Sequence, residues 1–499
     1  MNASRMSTLV CLLSFLVSIS HAQLTFDHTS APGSMNILAD LNDDGLPDAI
    51  GVPDPEHLVV QLNGGGGHFL APVTYTMKND KGISGITVND FNGDGLPDVV
   101  VATSSDFEFF RGLSDPNGNP NGMLKTPSLT VTAPHRNYIF LASMDVNHDG
   151  KPDLIAIDTF RVAVKLGNGD GTFQGATTVY DSSVADASGM ELAAIGNFDG
   201  DGNGDIAVYE EQLLADGTTI PRLTILYGNG HGAFTPVHTL LNTRLLSSQT
   251  LTAADVDFDG RSDVIAWGGG ALDNPPDTPT LEIFHGKGSR TVVEEKIPIT
   301  LATEHLGPAP LLADFDGDGH NDLAYLAVTP DFSRFDFTYL LGQATGFAAP
   351  QSIPLTPQGN NPQHPPAVGD LNGDNRPDWV QYTTDLSGSN ALDLLLNTNF
   401  AGKHIPLCGI QGRGSNRVVI CSPLDGGVSV QNTRFSINSH AFIPITRLEI
   451  WVDGKKVHQT EQAWSEINLP LTPGPHRAVA VAVTIDGDTL RSVVNFTVQ

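Results

Sequence analysis

Apolar residues in this chain come in short bursts behind acidic segments: Asp98-Val-Val-Val-Ala, Asp153-Leu-Ile-Ala-Ile, Asp263-Val-Ile-Ala-Trp and Asp322-Leu-Ala-Tyr-Leu. Runs this short and this rich in β-formers predict strands buried on both faces. The surrounding pattern predicts four strands per unit, as in residues 35–41, 48–52, 58–62 and 69–76. An acidic loop joins the first strand to the second, and a Gly-rich turn precedes the fourth. Four short strands per unit make a propeller blade.

The acidic loop has the form Asp-x-(Asp/Asn)-x-Asp-Gly-x-x-Asp and recurs seven times. Its copies begin at Asp40, Asp90, Asp145, Asn197, Asp255, Asp314 and Asp370, at spacings of 50, 55, 52, 58, 59 and 56 residues. A period of this size means a propeller or an array. The Gly-rich turn recurs too, from Asn63 to Phe69, Gly167 to Phe173, Gly228 to Phe234 and, degenerate, Gly342 to Phe347. A phosphate cradle sits once, between a strand and a helix; turns repeated in every unit are structural.

After the seventh loop two strands follow, near residues 378–382 and 392–396, and no fourth. Residues 24–30 precede the first loop and look like the fourth-strand segments. They are expected to complete the last blade and remove its open edge. The fold class expected is therefore all-β: a seven-bladed β-propeller closed by an N-terminal strand, followed by an Ig-like β-sandwich.

The repeat stops near Ile405. Strands at residues 417–421, 448–452, 478–483 and 493–498 then alternate with turns, and Asp453-Gly454 and Asp486-Gly487 are hairpin signals. That suits a sandwich. Residues 1–22 hold Arg5, an apolar stretch and Ser20-His21-Ala22, and read as a signal peptide. Cys11 lacks the small residues of a lipid-attachment site, and no other segment approaches the roughly 20 apolar residues of a membrane span. The expected domains are residues 23–400 for the propeller and 405–499 for the sandwich. The expected localisation is outside the cytoplasm: periplasm, cell surface or medium.

Charge sharpens this picture. Acidic residues outnumber basic ones 56 to 26, for a net charge of −30. The seven loops alone hold 24 Asp. Carboxylates packed so closely repel one another, and the balance argues against nucleic acid as a partner. Cys408 and Cys421 are the cysteines left after processing. An oxidising compartment permits a disulfide between them; two unpaired buried thiols are the alternative.

Side-chain oxygens at positions 1, 3, 5 and 9, with a carbonyl at position 7, suit a hard cation that takes six to eight oxygens. Gly at position 6 allows the sharp turn. The expected Ca²⁺ donors are Asp40, Asn42, Asp44 and Asp48; Asp90, Asn92, Asp94 and Asp98; Asp145, Asn147, Asp149 and Asp153; and Asn197, Asp199, Asp201 and Asp205. Loops five to seven add Asp255, Asp257, Asp259 and Asp263; Asp314, Asp316, Asp318 and Asp322; and Asp370, Asn372, Asp374 and Asp378. Up to seven ions are expected. An EF-hand begins the same way but needs Glu at position 12, where loops two and six have Val101 and Tyr325. Asn197, Arg261 and Asn375 depart from the motif.

Acid loops followed by Gly-x-Gly-x-x-Phe turns resemble the FG-GAP or VCBS repeats of bacterial secreted proteins and of the integrin α-subunit head, over roughly residues 24 to 400. The resemblance implies a β-propeller with Ca²⁺ in the hairpin loops of one face. It also implies extracellular binding or adhesion to a protein or glycan. The last segment resembles the Ig-like domains appended to such proteins.

No His-Glu-x-x-His, Gly-x-Ser-x-Gly or paired-Cys motif nominates a catalytic group. The second reading is a polysaccharide-active, lyase-like enzyme, which a Lys/Arg/Tyr cluster on one loop would favour. Four further features are minor. Asp385, Ser387 and Ser389 match an adhesion-site pattern that belongs to a different fold. The segment from Asp115 to Gly122 reads as a polar insertion before it reads as an ion loop. Trp451 is expected in the core, and Trp464 is the better exposed contact. His135 to Tyr138 and Gly268 to Thr280 are expected on loops of the face opposite the acid loops.

Overall fold

Each apolar burst becomes the second strand of a small antiparallel sheet. The computed structural model describes residues 24–398 and 417–499, apart from 43, 45, 79–82, 104–105, 133–137, 184–186, 215, 246–250, 257–258, 260, 272–279, 299–304, 307–309, 314, 317–320, 329–334, 344–345, 356–360, 363–365, 373–375, 385–389, 424–426, 441–444, 461–463 and 485–488. Every named element among the described residues is a strand, and no helix there is long and apolar enough to cross a membrane.

The first repeat forms the sheet Ile37–Ala39, Asp48–Asp54, His57–Gln61 and Val73–Thr76, in chain order. Repeats two, three and four do the same, with second strands Asp98–Thr103, Asp153–Asp158 and Asp205–Leu213. In repeats five to seven two short segments share the first-strand position, as Thr243–Leu245 and Thr252–Ala254 do against Asp263–Ala271. Phe26–Pro32 pairs antiparallel with Asn390–Asn397 of the seventh repeat, from Phe26↔Asn397 to Pro32↔Ala391.

The fourth strand of repeat one starts at Val73, later than the expected 69, because Pro72 offers no N–H to the ladder. Phe69 instead makes an isolated bridge to Asn63.

The sheets bury their faces against one another, and each apolar cluster draws on two repeats. Ile50, Val60 and Val88 join repeats one and two; Leu192, Tyr209 and Phe284 join four and five. The first repeat's Met35, Ala49 and Phe69 share a cluster with Leu371, Val380 and Leu394 of the seventh. Fully burying one such side chain stabilises by about 1.5–3 kcal/mol.

Residues 417–498 form a three-stranded sheet, Arg417–Ser422, Asn432–His440 and Trp464–Pro470, and a five-stranded one containing Ile445–Val452, Gly474–Thr484 and Thr489–Val498. Phe435, Ile450 and Phe496 are in their common core. Asp453 and Gly454 turn a hairpin with φ of 50° and 80°, the left-handed values a two-residue turn demands; Asp486-Gly487 lies outside the described residues. Trp451, expected in the core, is only half-buried. Its indole donates to Glu449 at 2.8 Å and Lys456 covers the ring. The Trp464 side chain, residues 1–22 and Cys408 lie outside the described residues, while Cys421 belongs to strand Arg417–Ser422.

Candidate cation-binding loops

The ninth residue of each acid loop opens the second strand of its repeat and is completely buried in all seven: Asp48, Asp98, Asp153, Asp205, Asp263, Asp322 and Asp378. One carboxylate oxygen accepts the N–H of the loop's second residue, as from Leu41 to Asp48 at 2.9 Å and from Phe315 to Asp322 at 2.7 Å. The other accepts an N–H where the third strand ends, from Asn63, Gly112, Gly167, Gly228, Gly286, Gly342 or Asn397, at 2.7–2.9 Å. The side chain therefore clamps the loop to the Gly-rich turn. Each clamp thus satisfies two backbone donors, although the Phe91 and Phe315 N–H groups also reach the Asn89 and Ala313 carbonyls at 3.1 Å.

Such burial disfavours the charged form. Desolvation pushes Asp48 and Asp205 up to about 8, and Asp98 and Asp153 up to about 7. The neighbouring loop carboxylates push the same way: Asp40 and Asp44, Asp90 and Asp94, Asp145 and Asp149, and Asp199 and Asp201. The backbone N–H bonds oppose the rise. Positions 1, 5 and 9 of loops one to three are thus close enough to repel.

At position 1, Asp90 accepts N–H bonds from Gly93 and Gly95 at 2.8 Å each, and Asp145 accepts from Gly150 at 2.7 Å. At position 3, Asn92 donates to both oxygens of Asp98 and Asn42 donates to Asp44. At position 5, Asp44, Asp94, Asp149, Asp201 and Asp259 each accept the N–H two residues on. Among the described residues no three His, Cys, Asp or Glu side chains are grouped to hold a metal ion; the loop carboxylates face backbone N–H groups instead. The donor set is all oxygen, which suits Ca²⁺ over a nitrogen- or sulfur-seeking metal. Asp257, Asp314, Asp318 and Asp374 lie outside the described residues, whereas Asp255, Asp316, Asp370 and Asn372 are placed within their loops.

Basic residues also pair with these loop carboxylates, Lys151 and Arg261 from position 7 of their own loops and Arg111, Lys287 and Arg290 from outside the motif. Arg111 meets Asp94 at 2.5 Å, Lys151 meets Asp149 at 3.6 Å, and Arg261 and Lys287 meet Asp259 at 2.6 and 3.4 Å. Arg290 bridges Asp199 and Asp201 at 2.9 and 3.3 Å. Arg111 and Lys287 flank Gly112 and Gly286, the glycines that anchor the position-9 carboxylates; that adjacency is the signal in the sequence for these two.

The Gly-rich turns dock on the loop of the preceding repeat. Gly171 donates to the Phe91 carbonyl at 3.0 Å, Gly232 to Val146 at 2.9 Å, and Gly67 of repeat one to Leu371 of repeat seven at 3.2 Å. Phe173 stands edge-on to Phe91, centroids 5.6 Å apart.

The other expected features fare differently. Asp115 turns the hairpin between Asp106–Ser114 and Pro120–Thr132, its Oδ1 accepting the Asn117 and Asn119 N–H groups. Tyr138 is a buried strand residue rather than an exposed loop contact. Gly268 and Thr280 are paired strand residues, so the loop expected there shrinks to 272–279, which with 135–137 and 385–389 lies outside the described residues.

A Tyr/Arg cluster that sequence reading did not find does form across repeats three and four. Tyr180 donates to Glu210 at 2.7 Å, and Arg222 pairs with Glu210 at 2.8 Å. Glu210 and Arg222 are buried, and burial with the Glu210 contact pushes the Tyr180 phenol up.

A model of the FG-GAP-like repeat matches residues 40–134, 145–208 and 314–380. These stretches take in acid loops one to four, six and seven. No curated protein matches the chain in sequence. Among solved structures, a lectin of Agrocybe aegerita, described for its specific recognition of non-reducing terminal N-acetylglucosamine, is similar at 16% identity. That likeness covers 74% of this chain and 92% of the lectin, with a TM-score of 0.40. The Nup170 NTD of Chaetomium thermophilum, in complex with Nup53, is 8% identical over 74% of this chain and 61% of its own, with a TM-score of 0.42. The fibronectin(III)-like modules of Clostridium thermocellum CbhA are 23% identical over 16% of this chain and 93% of theirs, with a TM-score of 0.15. The chain thus carries FG-GAP-like repeats on an all-β framework of small sheets, nearly all of four or five strands.

Proposed function

We propose that this chain is a secreted, calcium-stabilised binding module. Residues 23–400 make a seven-bladed propeller closed by the N-terminal strand, and residues 405–499 make an Ig-like domain. Its partner is an extracellular protein or glycan, and it is not an enzyme. Closure is supported by the pairing of Phe26–Pro32 with Asn390–Asn397 and by the cluster shared between repeats one and seven.

The observation that carries the ion role is the sevenfold buried Asp at position 9, set in loops whose further donors are oxygens. When bound, Ca²⁺ supplies the positive charge that lets these carboxylates stay ionised. The chain's own residues hold the loop in place: the position-9 Asp clamps it to the turn, and the next repeat's glycines cover it. The ion's work is structural.

Calorimetry tests this. Chelator is expected to lower the melting temperature of the propeller, and restored Ca²⁺ to recover it by mass action; an unchanged temperature refutes the ion role. A glycan array run beside a polysaccharide-degradation assay tests the binding role, and new unsaturated product would overturn it in favour of a lyase.

A further inference from the structure

We infer that acid loop four takes no divalent cation, because Arg290 of the next repeat occupies the place of one. The inference rests on the reading that the acid loops bind Ca²⁺.

Loop four opens with Asn197, whose single side-chain oxygen accepts the Gly200 N–H at 2.9 Å. In loop two the corresponding residue, Asp90, gathers three loop N–H groups on two oxygens. The loop-four carboxylates at positions 3 and 5 face the guanidinium of Arg290. Nε bonds Asp199 at 2.9 Å and Nη2 bonds Asp201 at 3.3 Å. A planar fork spanning two carboxylates is a geometry that Arg makes and a point charge does not.

Two further observations hold Arg290 there. It sits at the tip of the hairpin between Thr280–Lys287 and Thr291–Pro298, in the left-handed conformation with φ 56°, which a non-glycine residue adopts only when its surroundings hold it. Its N–H donates to the Lys287 carbonyl at 2.9 Å. The guanidinium also lies 5.3 Å from the centroid of the Tyr227 ring, which is buried in the core shared by repeats four and five. The ring face adds a cation–π attraction. Arg111 and Lys151 each meet one position-5 carboxylate, Asp94 and Asp149. A divalent cation between Asp199 and Asp201 would stand against the guanidinium at contact distance, so the two occupants exclude each other.

Native mass spectrometry of the full chain, counting bound Ca²⁺, tests this. Asp199→Asn/Asp201→Asn is expected to bind as many ions as the unmodified protein. Asn197→Asp/Arg290→Gln is expected to bind one more. Loss of one ion in the first variant, or no gain in the second, overturns the inference. If the second variant does not fold by circular dichroism, Arg290→Gln alone is titrated with Tb³⁺, and the absence of a new luminescent site counts against the inference. An unmodified protein with no bound ion would refute the calcium reading of the other loops, while the gain in the second variant still decides loop four.

Discussion

At the residue scale, the position-9 aspartate has a structural task independent of any ion. Its oxygens accept two backbone N–H groups that no other described side chain reaches, as from Phe91 and Gly112 to Asp98. Removing the acceptor takes away the partner of the Gly112 N–H, at about 1–3 kcal/mol, while the Phe91 N–H keeps the Asn89 carbonyl at 3.1 Å. Asp98→Ala is therefore expected to destabilise the protein by roughly 1–3 kcal/mol even in chelator. Asp94→Ala, which removes an exposed-loop acceptor, should cost under about 1 kcal/mol there. Urea midpoints at unchanged slope check this, and equal losses for the two variants would refute the clamp. The motif spacing put Asp98 in the loop, but its second partner lies 14 residues on. Such a partner becomes visible only once the third strand is folded back.

At the element scale, the turns were legible as turns but not as docking elements. Gly66 and Gly67 both have positive φ, 64° and 72°. A Cβ on Gly66 would meet nothing within 4 Å, whereas one on Gly67 would come within 2.6 Å of the Leu396 side chain. Gly66→Ala is expected to cost about 1 kcal/mol in backbone strain. Gly67→Ala should cost more, because the Leu396 side chain must also shift to make room. Thermal melts of the two variants decide it; equal shifts would mean that the close approach to Leu396 contributes nothing. Strand boundaries were legible wherever an apolar burst followed an acid loop. They blurred where a proline intervened, as at Pro72, and where two short segments share a first-strand position, because alternation cannot register so few residues.

At the scale of the whole molecule, the sequence placed the strand missing after repeat seven ahead of repeat one, and Phe26–Pro32 does pair with Asn390–Asn397. More than the ladder ties this segment down. Leu24 is buried and its N–H donates to Tyr339 at 2.9 Å, while Thr398 donates back to the Thr25 carbonyl at 2.9 Å. Phe26 stands edge-on to Phe337 and Phe315, with centroids 5.0 and 6.1 Å away. These contacts reach the sixth repeat as well as the seventh, so the strand holds two sheets. A chain lacking residues 23–32 loses the burial of Leu24, about 2 kcal/mol by itself. It also bares Asn390–Asn397 as an unpaired edge that invites another chain. The expected outcome is a lowered melting temperature together with dimers or aggregates in light scattering. Adding residues 23–32 in trans as a peptide should restore the monomer. A truncated chain that stays monomeric and melts like the intact one would mean that the N-terminal strand is an ornament on an already complete sheet.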